Sequence, residues 1–220
     1  MDKTSWNERY SGSDLVWPTS PNRWVVAQLE GHIPGDALDL GCGEGRNAMW
    51  LAEQGWAVTA VDFAENALAK ARQEAAAVLA PADAERISWV QGDVLTYEMP
   101  TSAYDLVLST YVHLPDYERR EMLRNCVRAL RPGGTLLVVG HDTTNLTEGV
   151  GGPQEAAILF TGADIEGDLQ DHLGSGALSL ERSGRVAREV ETEEGTVVAW
   201  DALFRARRRV ESTSGFAFGA

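Results

Sequence analysis

Three glycines at alternate positions, Gly41, Gly43 and Gly45, close an apolar run in the segment ALDLGCGEG at 37–45. A second apolar run, AVTAVDF, ends in Asp62, 21 positions after Gly41. Glycines let the backbone approach a ligand that any Cβ would clash with. The helix expected after them offers N–H groups that no intrahelical carbonyl satisfies. A carboxylate at the tip of the next strand can accept both hydroxyls of a ribose. The pattern therefore reads as an adenosine site. Arg46 stands where a dinucleotide fold wants its third glycine, so the turn is not the usual pyrophosphate cradle. Arg46 also opens a helix, where a cation opposes the dipole. It calls for a carboxylate partner, either from the protein or from a ligand.

Two histidines could handle protons. His113 follows the expected fourth strand and His141 the fifth, both at the edge of the sheet where ligands bind. Either could take a proton from an incoming nucleophile. For His113 the competing reading is packing against the Leu114-Pro115 turn. Asp142 beside His141 could orient its ring. His32 and His172 read as surface residues, and Cys42 as a small filler of the turn rather than a nucleophile. No Cys/His cluster has zinc spacing and no carboxylate trio suggests magnesium, so no metal is expected.

Alternating strands and helices must position these residues. Strands are expected at 37–40, 57–61, 87–91, 105–109 and 135–139. Helices are expected at 22–29, 46–54 and 65–79, and in a segment opening at Asp116 as N-cap and stopping at Arg131-Pro132-Gly133-Gly134. The strands are short and apolar, as strands buried on both faces should be. This pattern predicts an α/β domain with a parallel sheet covered on both sides. Beyond Gly140, HDTTNLTEGVGGPQ at 141–154 reads as a polar, Gly-rich loop. A short helix at 163–173 and strands at 178–190 and 197–205 close the fold. Residues 211–220 read as a disordered tail.

With 220 residues, 44% of them hydrophobic, the chain suits one domain. A net charge of −14 repels phosphate backbones and anionic lipid, so neither nucleic acid nor membrane is an expected partner. The two cysteines, Cys42 and Cys126, fall in separate elements and read as unpaired thiols. With the polar opening MDKTSWNERY, this suits a cytoplasmic protein.

Motif by motif, residues 35–140 resemble the class I S-adenosylmethionine (SAM) methyltransferases. DLGCGEG matches their first motif, and AVDF, WVQGDV, YDLVLSTYVHLP and LRPGGTLLVVG follow in order. The resemblance implies a Rossmann-like, seven-stranded, mostly parallel, doubly wound sheet, with SAM as cofactor. It implies that Gly41, Cys42, Gly43 and Gly45 line the cofactor, with Asp39 reaching the methionine amine directly or through water. Arg46 would meet the methionine carboxylate, if not a protein carboxylate. Asp62 would hold the ribose, Phe63 and Val94 flank the adenine, and Asp93 accept from its amino group. Ser109 would lie near the methionine half, and Tyr111, His113 and His141 near the methyl acceptor.

The arm before residue 35 carries Trp6, Arg9, Tyr10, Trp17, Pro21 and Asn22. This set is similar to the tellurite-resistance and thiopurine methyltransferase-like branch, in which an N-terminal segment folds over the cofactor. Residues 1–34 are thus expected to form a lid holding Tyr10 and Trp17 on the cofactor, and 35–210 the core domain. The acceptor is expected to be a small molecule. Few cations mark the strand ends, which disfavours strongly anionic acceptors. The rival readings are an NAD(P)-dependent oxidoreductase and a non-catalytic SAM-binding module. Arg46 in the third-glycine position and the Gly-Asp of WVQGDV count against the oxidoreductase.

Overall fold

The computed structural model describes residues 3–12, 14–192 and 195–210. Five strands run parallel: β1 (Asp36–Leu40), β2 (Ala57–Asp62), β3 (Ile87–Gln91), β4 (Tyr104–Thr110) and β5 (Leu130–His141). A hairpin of β6 (Leu178–Thr192) and β7 (Gly195–Arg208) completes the sheet, with β7 antiparallel to β5. The order is β3-β2-β1-β4-β5-β7-β6. Chain order reverses between β1 and β4, so the connections leaving those strands diverge and open a crevice at their carboxyl ends.

Alternation along each strand assigns residues to the two faces. Leu38, Leu40, Val107, Leu136 and Val138 pack with Met122, Leu123, Cys126 and Val127 of α6 (Asp116–Ala129). Ala37, Leu106, Leu108, Leu137 and Val139 pack on the other face. There they meet α2 (Arg23–Leu29), α3 (Arg46–Glu53) and α4 (Glu65–Val78). Both faces are buried, which explains why the strands read as nearly continuous apolar runs. The remaining helices are α1 (Lys3–Arg9) in the arm, α5 (Pro81–Ala84), and α7 (Gly162–Asp168) with α8 (Gln170–Gly174) before the hairpin.

Some boundaries differ from those expected. Pro115, not Asp116, caps α6; Asp116 is the first helical residue and accepts from the Tyr117 N–H. Arg131-Pro132-Gly133-Gly134 lies within β5, where a bulge against β4 absorbs it. The helix expected at 163–173 is two short helices meeting at Leu169. The expected tail at 211–220 lies outside the described residues. Among the described residues no helix is long and apolar enough to cross a membrane.

The hairpin reaches past the edge of the sheet. β7 pairs with β5 only as far as His141↔Asp201, while the β6–β7 ladder continues to Thr192↔Gly195. Its outer half stands beside the crevice. It carries Asp201, which pairs with Val186, and Arg188, two residues further along β6 and so on the same face.

Candidate functional site

The turn after β1 is built by backbone geometry. Gly41, Gly43 and Gly45 all have positive φ, with +55° at Gly43. A Cβ on Gly43 would lie 3.2 Å from Tyr10 Oη. Asp62 at the end of β2 ties this turn down. Its Oδ2 accepts from the Gly43 N–H at 2.8 Å and its Oδ1 from the Ala64 N–H at 2.8 Å. Burial raises the Asp62 pKa and the surrounding N–H groups pull it back. Asp62 therefore fixes the shape of the turn, and only its remaining lone pairs face a ligand.

Beneath the turn lies Asp39, fully buried in the middle of the sheet. Neither carboxylate oxygen has a hydrogen-bond partner. The Ala48 N–H favours the charged form without meeting the criteria of a hydrogen bond. Burial first, then the nearby charge of Asp62, push its pKa up to about 7, against the pull of Arg46. A buried carboxylate without a partner is costly and must be compensated. The group that suits it is a cationic donor arriving from the crevice. Arg46, at the start of α3, is half-buried and has no hydrogen-bonded or ion-paired partner among the described residues. The turn thus presents one unmatched carboxylate and one unmatched guanidinium, a pair complementary to an amino-acid zwitterion.

The arm lies on this turn. Trp17 Nε1–H donates to Tyr10 Oη at 2.9 Å, and Tyr10 packs with Ala64 and Ala67. Arg9 sits over the rings of Trp6 and Trp17 at 5.3 and 5.1 Å. The holding residue is Glu44, inside the turn itself. Its carboxylate accepts from the Val16 N–H at 2.9 and 3.0 Å and from the Trp17 N–H at 3.1 Å. Lys70 of α4 bridges Glu44 at 3.3 Å and the Asp14 carbonyl at 2.5 Å. The cavity left between arm and turn is about 30 Å³, lined by Trp17, Cys42, Glu44, Arg46 and Met49 among others. A larger space of about 270 Å³, sharing Thr19, Arg46, Met49 and Glu74 with the first, lies beside it. Sequence reading passed over Glu44 because an acidic residue in a Gly-rich turn reads as solvated.

The remaining predicted cofactor residues gather along the same edge. Val94 is buried and Phe63 half-buried beside the ends of β2 and β3. Asp93 Oδ1 accepts from the Leu95 N–H, so part of its capacity already closes its own turn. Ser109 lies opposite Leu40 in the β1–β4 register and is buried. Cys42 is buried and its thiol is held well above its ordinary pKa by burial and by Asp39, so it stays protonated and inert. Asn47 of α3 bonds both Thr110 Oγ1 and the Asn22 N–H, joining turn, β4 and arm. Among the described residues no acidic, His or Cys group could hold a metal ion.

Across the crevice, the ends of β4 and β5 bring three rings together. His141 lies 4.7 Å from the Tyr111 ring and is stacked on His113 at 5.3 Å. Tyr111 holds a left-handed backbone with φ +57°, a strained state for a bulky residue. Its hydroxyl donates to Asp201 at 3.1 Å. Burial, then Asp201, push the phenol up to about 12, so it stays neutral. His113 is committed. Its Nε2 accepts from the His141 backbone N–H at 3.1 Å. Burial and His141 push its pKa down to about 3. With that lone pair taken, the geometry of His113 favours the packing reading over a role as base.

His141 also has a lowered pKa, through burial first and Arg188 as well, with Asp201 opposing. Asp142 does not orient the ring; its carboxylate caps the next turn by accepting from Thr144. The loop after β5 is pinned rather than loose. Asn145 exchanges two hydrogen bonds with the Trp200 backbone, and Gly152 lies so close to His141 that a Cβ there would meet the ring at 2.6 Å. Arg188 adds a cation at the strand ends that sequence reading did not place there, because it arrives from the far edge of the sheet.

Comparison with known proteins bears on the family and the fold. Residues 37–134 match the methyltransferase domain family. An uncharacterized methyltransferase of Mycobacterium tuberculosis is 36% identical over 138 residues. That match covers 60% of this chain and 66% of the relative, so the chain spans just under two thirds of its length. Among solved structures, the fold is similar to the N-methyltransferase NodS of Bradyrhizobium japonicum in complex with S-adenosyl-L-homocysteine. The TM-score is 0.67 at 19% identity, over 94% of this chain and 97% of that one. It is also similar to TehB from Haemophilus influenzae, with TM-score 0.66 and 22% identity over 94% and 67% of the two chains. At these identities the structural likeness concerns the fold.

Proposed function

We propose that the chain, whose residues 37–134 match the methyltransferase domain family, is a SAM-dependent methyltransferase that methylates a small-molecule acceptor in the crevice between its glycine turn and the Tyr111–His141 cluster. The observation that carries this reading is the buried, unpartnered carboxylate of Asp39 beneath the glycine turn. Asp39 would hold the methionine amine and Arg46 the methionine carboxylate. The turn backbone at Gly41, Cys42, Gly43 and Gly45 would lie along the chain of the cofactor. Asp62 would take the ribose, and Phe63, Asp93 and Val94 the adenine. Ser109 would close the far side. SAM supplies an already activated methyl group, so the protein's work is to hold a nucleophile in line with it and exclude water. His141, neutral near pH 7, would serve as base if the acceptor must lose a proton. Tyr111 would help wall the acceptor.

A small acceptor is favoured by the acidic surface, which disfavours nucleic acid. Incubation with methyl-labelled SAM and a pool of phenols, amines and thiols should place label in the small-molecule fraction. Label on RNA or protein instead, or SAM bound without any turnover, would overturn this reading.

The arm is the lid of this site, and its aromatic set over the turn supports the tellurite-resistance and thiopurine-like branch. Residues 1–34 then act as one device with the turn, because Glu44 belongs to both. Glu44→Ala removes charge-assisted bonds to two arm N–H groups, each about 1.5–3 kcal/mol. We expect SAM release to quicken at least about tenfold. Hydrogen exchange at Val16 and Trp17 should rise with it. Unchanged release in a stopped-flow chase would separate the arm from cofactor retention.

A further inference from the structure

His141 has one buried nitrogen and one open one. Nδ1 is buried and makes no hydrogen bond. Asp201 Oδ1 lies 3.7 Å from it. Nε2 is neither bonded to the protein nor fully buried. The β5–β7 register places the two residues directly across from each other.

Asp201 is itself fixed. It is fully buried, and its Oδ2 accepts from Arg188 Nε at 2.9 Å, Trp24 Nε1 at 2.9 Å and Tyr111 Oη at 3.1 Å. The three donors crowd onto Oδ2. Oδ1, with only a long contact to Arg188 Nη2 at 3.4 Å, is left facing the imidazole. A ring nitrogen carrying a proton is attracted to that oxygen, and one carrying a lone pair is repelled. At 3.7 Å in a site shielded from water this electrostatic preference selects the tautomer, whether or not the contact tightens into a hydrogen bond. The proton belongs on Nδ1, and the lone pair on Nε2 faces the crevice. Tyr111, His113 and Gly152 hold the ring in that orientation from the other sides.

We propose that Asp201 is the positioning residue that sets His141 as the acceptor's base, and that the acceptor is therefore a hydroxyl or an amine that must give up a proton. The inference rests on the methyltransferase reading and names its substrate class. His141 Nε2 takes the proton as the electron pair of the acceptor's oxygen or nitrogen forms the bond to the methyl carbon. The C–S electron pair stays on sulfur, leaving neutral S-adenosylhomocysteine. The proton leaves Nε2 for water when the crevice opens. A thiolate would need none of this apparatus.

The groups facing His141 are Tyr111 and His113 from the end of β4, Asp201 from β7 and Arg188 from β6; the loop contributes only the backbone at Gly152. Asp201 is the anion among them. Its removal leaves Arg188 unopposed, so the pKa of His141 must fall.

The test is histidine-ring NMR on the full chain with ¹⁵N-labelled imidazoles, in the presence of S-adenosylhomocysteine. At neutral pH the wild type should show His141 protonated on Nδ1. In Asp201→Asn the pKa of His141 should drop by about one unit or more, with S-adenosylhomocysteine affinity within about twofold of wild type. A wild-type His141 protonated on Nε2 would overturn the proposal, even if Asp201→Asn did not fold. So would an unchanged titration in a folded variant. Acceptors returned by the labelled-methyl screen give the second readout. On hydroxyls or amines, Asp201→Asn should lose at least about tenfold at neutral pH and regain it as the acceptor ionises at higher pH. A screen returning thiols alone would overturn the substrate class, while one returning nothing bears on the methyltransferase reading itself.

Discussion

Gly43→Val should raise the dissociation constant for SAM by at least about a hundredfold, which is roughly 2.7 kcal/mol, while the sheet still forms. Gly43 has φ +55°. An L-residue in that region costs roughly 1–2 kcal/mol, and a β-branched one more. The new Cβ would also begin 3.2 Å from Tyr10 Oη, with its methyl groups reaching toward arm or ligand. Escape by rotating the backbone would break the Gly43 N–H bond to Asp62 that shapes the turn. Strands and helices elsewhere do not depend on this residue, so the far-UV circular dichroism should be near normal. Calorimetric titration decides the matter. Wild-type affinity in the variant would place the cofactor away from the turn.

His141→Ala should cut turnover about a hundredfold on the true acceptor, the usual scale for losing a general base. SAM affinity should hardly change, because the ring sits at the ends of β4 and β5 rather than under the glycine turn. The pH dependence carries the sign. The pKa of His141 is lowered by burial and by Arg188, so the ring is neutral and able to accept a proton at pH 7. Wild-type turnover should therefore be lost only as pH falls through that lowered value, and His141→Ala should abolish that acid limb. Retained turnover with the acid limb intact would make His141 a packing residue.

The residues of the proposed cofactor half could be nominated from sequence because their signals are local. Gly41, Gly43 and Gly45 lie within five residues, and Asp39 and Asp62 each end or nearly end an apolar run. Alternating strands and helices fixed where those ends must lie. The acceptor half was only partly legible. His141 could be found because it follows a strand, but its partner was assigned to the adjacent Asp142 rather than to Asp201, which is 60 positions away in sequence and opposite it in the sheet. Antiparallel register between distant strands leaves no short-range mark, and Arg188 and Trp24 reach Asp201 by the same long-range route. Glu44 was hidden for another reason. Its partners are backbone N–H groups of the arm, and a backbone donor has no signature in residue type. Residues 131–134 misled in the opposite sense: Pro and Gly end α6, yet a bulge lets the same residues open β5.

Asp39 offers the most direct test that this chain binds SAM through its glycine turn. Its pKa is raised to about 7, so near pH 6 the unliganded protein holds it mainly as the acid. The folded state then carries a proton that the unfolded state lacks between about pH 4 and 7, and the contribution of Asp39 to stability falls as pH rises through that window. The cationic amine of SAM favours the carboxylate instead, so binding must expel the proton. Calorimetry at pH 6 in buffers of different ionisation enthalpy should show release of close to one proton per SAM bound, fading by about pH 8. Asp39→Asn should abolish that release and weaken binding at pH 8 by at least about tenfold. SAM binding with equal affinity and equal proton release in both proteins would contradict the account.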